Sequence, residues 1–354
     1  MRAYINGTSA ISPQPTFGQE QYLPAVKAPS GDYFTALEPD YKDFIDPKQS
    51  RRMAKIIKMG IASALDCLAQ ANAQPEAIIV GTGLGCLQDT ERFLADLVEN
   101  DEGLLSPTAF IQSTHNTIAG QIALVLNCPH HNFTYAQRGH SFENALEDAM
   151  LHLAEGHHHV LVGGVDEATP TLHKILSKLG CTDKSEGRFP ALTTTDKMPT
   201  LGEGAAFFLL SPTVSDNSMA CVENLHTFYA PDDLDDIKSQ ISNFLDHSHL
   251  SLADIDAVMM GYNGHEKDDN VYLDLQNSLW KDKTILSFKN LCGEYFTASA
   301  FGLHLATQTL HKQQFFENTV VQGDLLGSCK NILLYNHYKG QYHTLILISK
   351  CLPS

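Results

Sequence analysis

The sequence contains no C-x-x-C pair, and no stretch approaches the roughly 18 consecutive apolar residues of a membrane-spanning helix. Its eight cysteines (Cys67, Cys86, Cys128, Cys181, Cys221, Cys292, Cys329 and Cys351) are scattered. They read as reduced, mostly buried thiols rather than a disulfide framework. Basic residues are also scarce: 24 Lys and Arg stand against 41 Asp and Glu, a formal charge of −17. That balance opposes binding to phosphate backbones, so nucleic acid is not an expected partner. Residues 1–13 lack the basic start and apolar run of a secretory signal, and the expected location is the cytoplasm. What is present is ordinary for a folded protein, with 43% hydrophobic and 18% charged residues. A chain of 354 residues can hold two ordinary domains or one large α/β unit with a substantial core.

Local patterns favour the α/β class. Asp46-Pro47 can cap and open a helix whose apolar positions recur at Met53, Ile57, Ile61, Leu65 and Leu68. After a break at residues 72–75, the β-rich run Ala77-Ile78-Ile79-Val80 meets the glycine turn Gly81-Thr82-Gly83-Leu84-Gly85. Further elements are predicted as a loop at Ser106-Pro107, helices near 118–126 and 141–154, and strands at 133–136 and 160–162. Alternating strands and helices with glycines at strand ends point to largely parallel sheets covered on both faces. A capped helical stretch at 233–245, a strand at 257–260 and the turn Gly261-Tyr262-Asn263-Gly264 echo the earlier unit. This predicts duplicated halves, 1–212 and 213–354, joined near residues 211–218.

Few segments offer chemistry by residue type alone. The Gly81 to Gly85 turn lacks the third glycine and the well-placed helix of a dinucleotide site. Consecutive histidines at His157-His158-His159 point in different directions, so they read as a solvated turn, as does His130-His131; no metal or cofactor is expected. The segment Tyr135-Ala136-Gln137-Arg138-Gly139-His140-Ser141 is more informative, because a strand ends there and a helix begins. Free amides at such a junction can stabilise a thiolate, but this chain places glycine in the turn. Read by itself, it is a helix cap at His140 or Ser141.

Taken in order, a series of short segments resembles the β-ketoacyl-carrier-protein synthase family over nearly the whole length. They are Ser50-Arg51-Arg52-Met53, Val80-Gly81-Thr82-Gly83-Leu84-Gly85, Ser106-Pro107 through Gln112-Ser113-Thr114-His115-Asn116, Ala119-Gly120, and the run from Val160 to Gly164 with Glu167. Gly202-Glu203-Gly204-Ala205 and Ser287-Phe288-Lys289 with Gly293 complete the series. The resemblance implies a thiolase-like, five-layered αβαβα fold with two pseudo-duplicated halves. Family enzymes carry out decarboxylative condensation with a cysteine at a helix N-terminus and two histidines. Carried onto this chain, the cysteine position falls on Gly139. The first histidine position, in Asn263-Gly264-His265, falls on Asn263, and the second, after Gly293, falls on Glu294. The motif lysine is retained as Lys289, with Glu294 or Glu203 as its carboxylate partner. The glycine- and phenylalanine-rich loop near the C-terminus is altered to Asn336-His337-Tyr338-Lys339-Gly340.

Three replacements at three separately anchored motifs imply that this chain alone does not condense, since such groups act as a unit. By resemblance it is a chain-length-factor-like partner of a catalytic ketosynthase in fatty acid or polyketide, including aryl polyene, biosynthesis. The expected interface comprises the strand at 131–136 and residues 106–116. Phe110, Ile111 and Thr114 would either contact the end of the partner's acyl tunnel or fill this chain's own core. Acyl carrier proteins are acidic, so the partner should receive them unless Arg51, Arg52, Lys55 and Lys58 form a basic face here. A homodimer in the absence of a partner stays open. Two enzymatic alternatives remain: a malonyl decarboxylase or priming enzyme using Gln137, and other chemistry built from His140, Ser141, His265 and Glu294.

Overall fold

The computed structural model describes residues 2–18, 26–28, 31–103, 105, 107–184, 194–323 and 328–351. Ser106 of the expected Ser-Pro loop lies outside them. The described strands are β1 (Ala3–Ile11), β2 (Ala77–Gly81), β3 (His131–Tyr135), β4 (Val160–Asp166), β5 (Gly204–Ser211), β6 (Ala220–Tyr229), β7 (Ala257–Met260), β8 (Thr284–Ser287), β9 (Val320–Gln322), β10 (Asn331–Tyr338) and β11 (Tyr342–Ser349). The helices are α1 (Pro47–Ser50), α2 (Lys55–Ala71), α3 (Leu87–Glu99), α4 (Pro107–Gln112), α5 (Thr117–Leu126), α6 (Ser141–Ala154), α7 (Pro170–Lys178), α8 (Leu234–His247), α9 (Glu266–Ser278), α10 (Lys289–Cys292) and α11 (Ala298–Lys312). None is long and apolar enough to cross a membrane. All eight cysteines are free thiols.

Duplication is written in the strand order, β3-β2-β4-β5-β1-β6-β11-β10-β7-β8-β9. Read outward from the centre, β1-β5-β4-β2-β3 is answered by β6-β11-β10-β7-β8. Of these five strands in each half the outer three are mutually parallel and the two nearest the centre run antiparallel to their neighbours, while β9 adds antiparallel to β8 at the far edge. The halves meet where β1 pairs with β6 through Tyr4 and Cys221.

Side-chain alternation along the strands explains the layers. Val160 and Val162 of β4, Ile332 and Leu334 of β10 and Ile346 and Ile348 of β11 share one core with α6 and α11. The intervening Leu161 and Val165 point the other way, onto α2 and α5. Leu333, Tyr335, Leu345 and Leu347 likewise face α8 and α9. Both faces of each half are therefore apolar and covered, which yields the expected five layers with α6 and α11 in the middle.

Two local expectations need correction. The helix expected to run on from Asp46 is two: Asp46 caps α1 by accepting from the amides of Lys48 at 2.8 Å and Gln49 at 3.4 Å. The chain then leaves helical geometry at Ala54 (ψ 160°), so the apolar spacing from Ile57 onward belongs to α2. A helix, α3, does follow the Gly81 to Gly85 turn. Its N-terminal Gln88 amide is occupied by the Glu167 carboxylate at 2.9 Å, which opposes a phosphate there.

Contacts between α6, β2 and α11 seat the turn that opens α6. Gly81 ends β2 directly beneath it: a Cβ there would lie 2.4 Å from the Ser141 carbonyl oxygen and 2.6 Å from the Phe142 nitrogen. Asp166, at the end of β4, ties the halves together. It accepts from the Gly83 amide at 2.7 Å and from the Thr297 amide and hydroxyl at 2.9 Å each. Gly81→Ala should push α6 off β2 and cost about 1–3 kcal/mol in urea unfolding. A variant as stable as the parent would contradict this seating.

Candidate functional site

Between β3 and α6 the chain makes one 3-10 turn, Arg138–His140, with Gly139 buried inside it. Arg138 takes a left-handed conformation, φ 51°. That geometry is costly for a residue with a Cβ and marks a tightly built junction. A side chain on Gly139 has nowhere to go. Its Cβ would sit 2.8 Å from the Cβ atoms of both Tyr338 and Tyr342.

Those tyrosines come from the segment where a glycine- and phenylalanine-rich loop is expected. The chain instead makes a tight hairpin, in which Tyr338 pairs with Tyr342 and the left-handed Lys339 (φ 52°) and Gly340 (φ 60°) turn between β10 and β11. Phe296 packs its ring 4.8 Å from Tyr338. The hairpin thus occupies the space over the helix tip, and the obstruction comes from Cβ atoms that the strands hold in place.

The two positions expected to carry imidazoles are brought together. Asn263 follows β7 and Glu294 follows α10. Asn263 Nδ2 donates to Glu294 Oε2 at 2.9 Å and to Asp268 Oδ2 at 3.0 Å. Lys289 Nζ donates to the same Glu294 oxygen at 2.9 Å and to the His337 carbonyl at 3.1 Å. Of the two carboxylates considered for Lys289, Glu294 is therefore the partner, while Glu203 pairs with Lys55 at 2.6 Å. Burial pushes the Glu294 carboxyl up, and the Lys289 ammonium is the largest opposing influence. Asp269 receives the amides of Asn263 at 3.0 Å and Gly264 at 2.9 Å, while burial lifts its pKa to about 6. Sequence reasoning missed Asp268 and Asp269, although an acidic first turn immediately after Gly264 was the available signal.

These groups border a cavity of about 370 Å³ whose lining includes Arg138, Cys181, Glu294, Phe296, Tyr338 and Tyr342. Glu294 Oε1 is buried and has no hydrogen-bond partner among the described residues. Gln137 does not reach it. Its side chain is exposed and accepts from Asn144 at 2.6 Å, which removes the group that the decarboxylase alternative needs. The Ser141 hydroxyl donates to the Arg138 carbonyl and accepts from the Gln137 amide, both at 2.8 Å. The His140 Nε2 is bonded to the His343 carbonyl at 3.1 Å, and His265 Nδ1 lies 3.2 Å from Asp268. No serine-imidazole pair forms among the described residues, and the four residues of the third reading make no common site.

Phe110 and Ile111, on α4, are 57% and 64% exposed, and Thr114 is exposed just beyond the helix. They do not fill this chain's own core. Leu94, Val98, Leu124 and Phe133 are also large exposed apolar residues. The anticipated basic face is halved, since Lys55 is tied to Glu203 and Lys58 lies 3.9 Å from Glu38. Arg51 and Arg52 are exposed.

Residues 28–182 match the family model of the beta-ketoacyl synthase N-terminal domain. Among solved structures, the ishigamide ketosynthase/chain length factor superposes with a TM-score of 0.79 at 17% identity, covering 98% of this chain and 98% of that one. A beta-ketoacyl synthase from Burkholderia phymatum STM815 gives 0.79 at 14% identity, over 99% and 100%. A type II PKS acyl-carrier protein in complex with its ketosynthase bound to the hexaketide gives 0.70 at 15%, over 99% and 99%. By sequence the chain matches no curated protein. At these identities the structural likeness is one of fold, and it agrees with the thiolase-like architecture described above.

Two outcomes follow from this geometry. Gly139→Cys should yield a destabilised protein, by about 1–3 kcal/mol, whose added thiol resists alkylation in the folded state; rapid labelling of the introduced thiol would contradict the packing. Lys289→Met should cost about 3–5 kcal/mol by stranding a buried carboxylate, and adding Glu294→Gln should recover part of that loss. Urea unfolding of the single and double variants checks this, and an uncoupled pair would show simple additivity.

Proposed function

We propose that this β-ketoacyl-synthase-like chain is a non-catalytic, chain-length-factor-like partner of an active ketosynthase in fatty acid or polyketide biosynthesis. The single observation that carries the reading is steric: the position matched to the acyl-accepting cysteine is a glycine where an added Cβ would meet two tyrosine Cβ atoms at 2.8 Å. Gly139, Asn263 and Glu294 stand in the places of the catalytic triad, and Lys289 is kept as the counter-charge of Glu294. The division into halves 1–212 and 213–354 belongs to the same reading.

A partner role also has support from the surface. β3 ends the sheet with one edge unpaired among the described residues. An open edge invites a strand from another chain. Phe133 on β3, with Leu94, Val98, Phe110, Ile111 and Leu124 on the nearby helices, supplies the apolar area such an interface needs. Phe110, Ile111 and Thr114 are proposed to reach the end of the partner's acyl tunnel. The partner takes the acyl carrier protein, which accords with the acidic charge of this chain and its depleted basic face.

Co-expression with ketosynthases encoded nearby tests this. A stable heterodimer should form, and condensing activity should appear only in the pair. Phe110→Asp with Ile111→Asp should weaken the pair about tenfold or more while leaving the melting temperature of the isolated chain unchanged, because both side chains are exposed. A ketosynthase that works unaided, with no complex formed by any candidate, would refute the proposal.

A further inference from the structure

Where α6 packs beside β3, a second group of side chains converges, none of which lines the cavity. Asp148 and His152 are four residues apart on α6 and so share one face, a turn apart. His131 begins β3, on the same side of the strand as Phe133 and Tyr135. The His131 and His152 rings approach to 4.3 Å between centroids at 48°. His152 Nε2 faces Asp148 Oδ1 at 3.9 Å, and its Nδ1 faces Glu155 Oε2 at 3.9 Å. That Nδ1 is buried and has no hydrogen-bond partner among the described residues. One ligand atom from each of His131, Asp148 and His152 lies within 4.8 Å of the other two.

We propose that His131, Asp148 and His152 bind one divalent transition-metal ion of the zinc type. Two imidazoles and one carboxylate suit a borderline cation, whereas magnesium and calcium call for oxygen donors. Tetrahedral bonds of about 2.0–2.2 Å place donors about 3.3–3.6 Å apart, so each pair has to close by at most about 1.5 Å. Rotation of the exposed His131 side chain supplies that movement. One outer contact is already in place, Glu155 standing 3.9 Å from the far nitrogen of His152. Such contacts orient metal ligands. His157 braces the site, its Nδ1 bonded to the His152 carbonyl at 3.1 Å and its ring edge-on to His152. A fourth coordination position is left to water, on the face that carries the open edge of the sheet.

The test is titration of the chelator-stripped full-length protein with Zn2+ by calorimetry and with Co2+ by visible absorption. One equivalent of zinc per chain should bind saturably, with an intense tetrahedral Co2+ band. Asp148→Asn, His152→Asn and His131→Asn should each weaken binding about tenfold or more, while His158→Asn, in the neighbouring exposed turn, leaves it intact. Circular dichroism confirms that each variant folds, and the exposed His131→Asn carries the test if an α6 variant does not. Absence of saturable binding, binding untouched by the three variants, or loss on His158→Asn would overturn the proposal.

Discussion

A buried ammonium at Lys289 must be neutralised where it stands, and Glu294 does so at 2.9 Å. Removing water from two charges is costly, and mutual attraction with added hydrogen bonds offsets that cost only when geometry is good. Asn263 supplies one of those bonds and the His337 carbonyl another. The segments after β7 and α10 are thereby tied to the end of β10 at one point. Imidazoles at 263 and 294 would give up both this counter-charge and its amide donor. Asn263, Lys289 and Glu294 are thus interdependent, an ion-paired and hydrogen-bonded floor to the cavity.

Above that floor the constraint is space. The tight turn at Lys339-Gly340 sets Tyr338 opposite Tyr342, and their backbone-anchored Cβ atoms lie over Gly139. Glycine at the helix tip and the tight hairpin are complementary, since an added Cβ at 139 would meet the Cβ atoms of both tyrosines. The surface presents the other half of the picture. Exposed apolar side chains gather on α3, α4, α5 and β3, beside an unpaired sheet edge, while charge and basic-residue pairing disfavour an acidic carrier protein. A scaffold with glycine at the tip of α6 and an open apolar face accords with the proposed support of another subunit.

Much of the fold was legible because strand composition and glycine punctuation are local signals. The run Ala77 to Val80 and the strand at Ala257–Met260 announce matching places in the two halves, and the mirrored strand order bears out duplication. The break between α1 and α2 was hidden, since apolar spacing continues across it and nothing in residues 51–54 is a strong helix breaker. At the site, the motif positions pointed to Gly139, Asn263, Glu294 and Lys289, of which Asn263, Glu294 and Lys289 meet in the structure. Sequence could not show that Tyr338 and Tyr342 pack against Gly139, because that depends on the register of a hairpin in the other half of the chain. Nor could it choose between Glu203 and Glu294 for Lys289, a matter of which loops meet in space. The His131 to His152 convergence was equally invisible, as adjacent histidines in sequence drew the eye instead of those paired across β3 and α6.

The central claim is that the helix tip at residue 139 offers neither a nucleophile nor room for an acyl chain. Intact-protein mass spectrometry after incubation with acyl-loaded carrier protein, with and without hydroxylamine treatment, tests it most directly. The account predicts an unmodified chain mass throughout. A hydroxylamine-sensitive acyl adduct on this polypeptide, mapped to any residue lining the cavity, would contradict it.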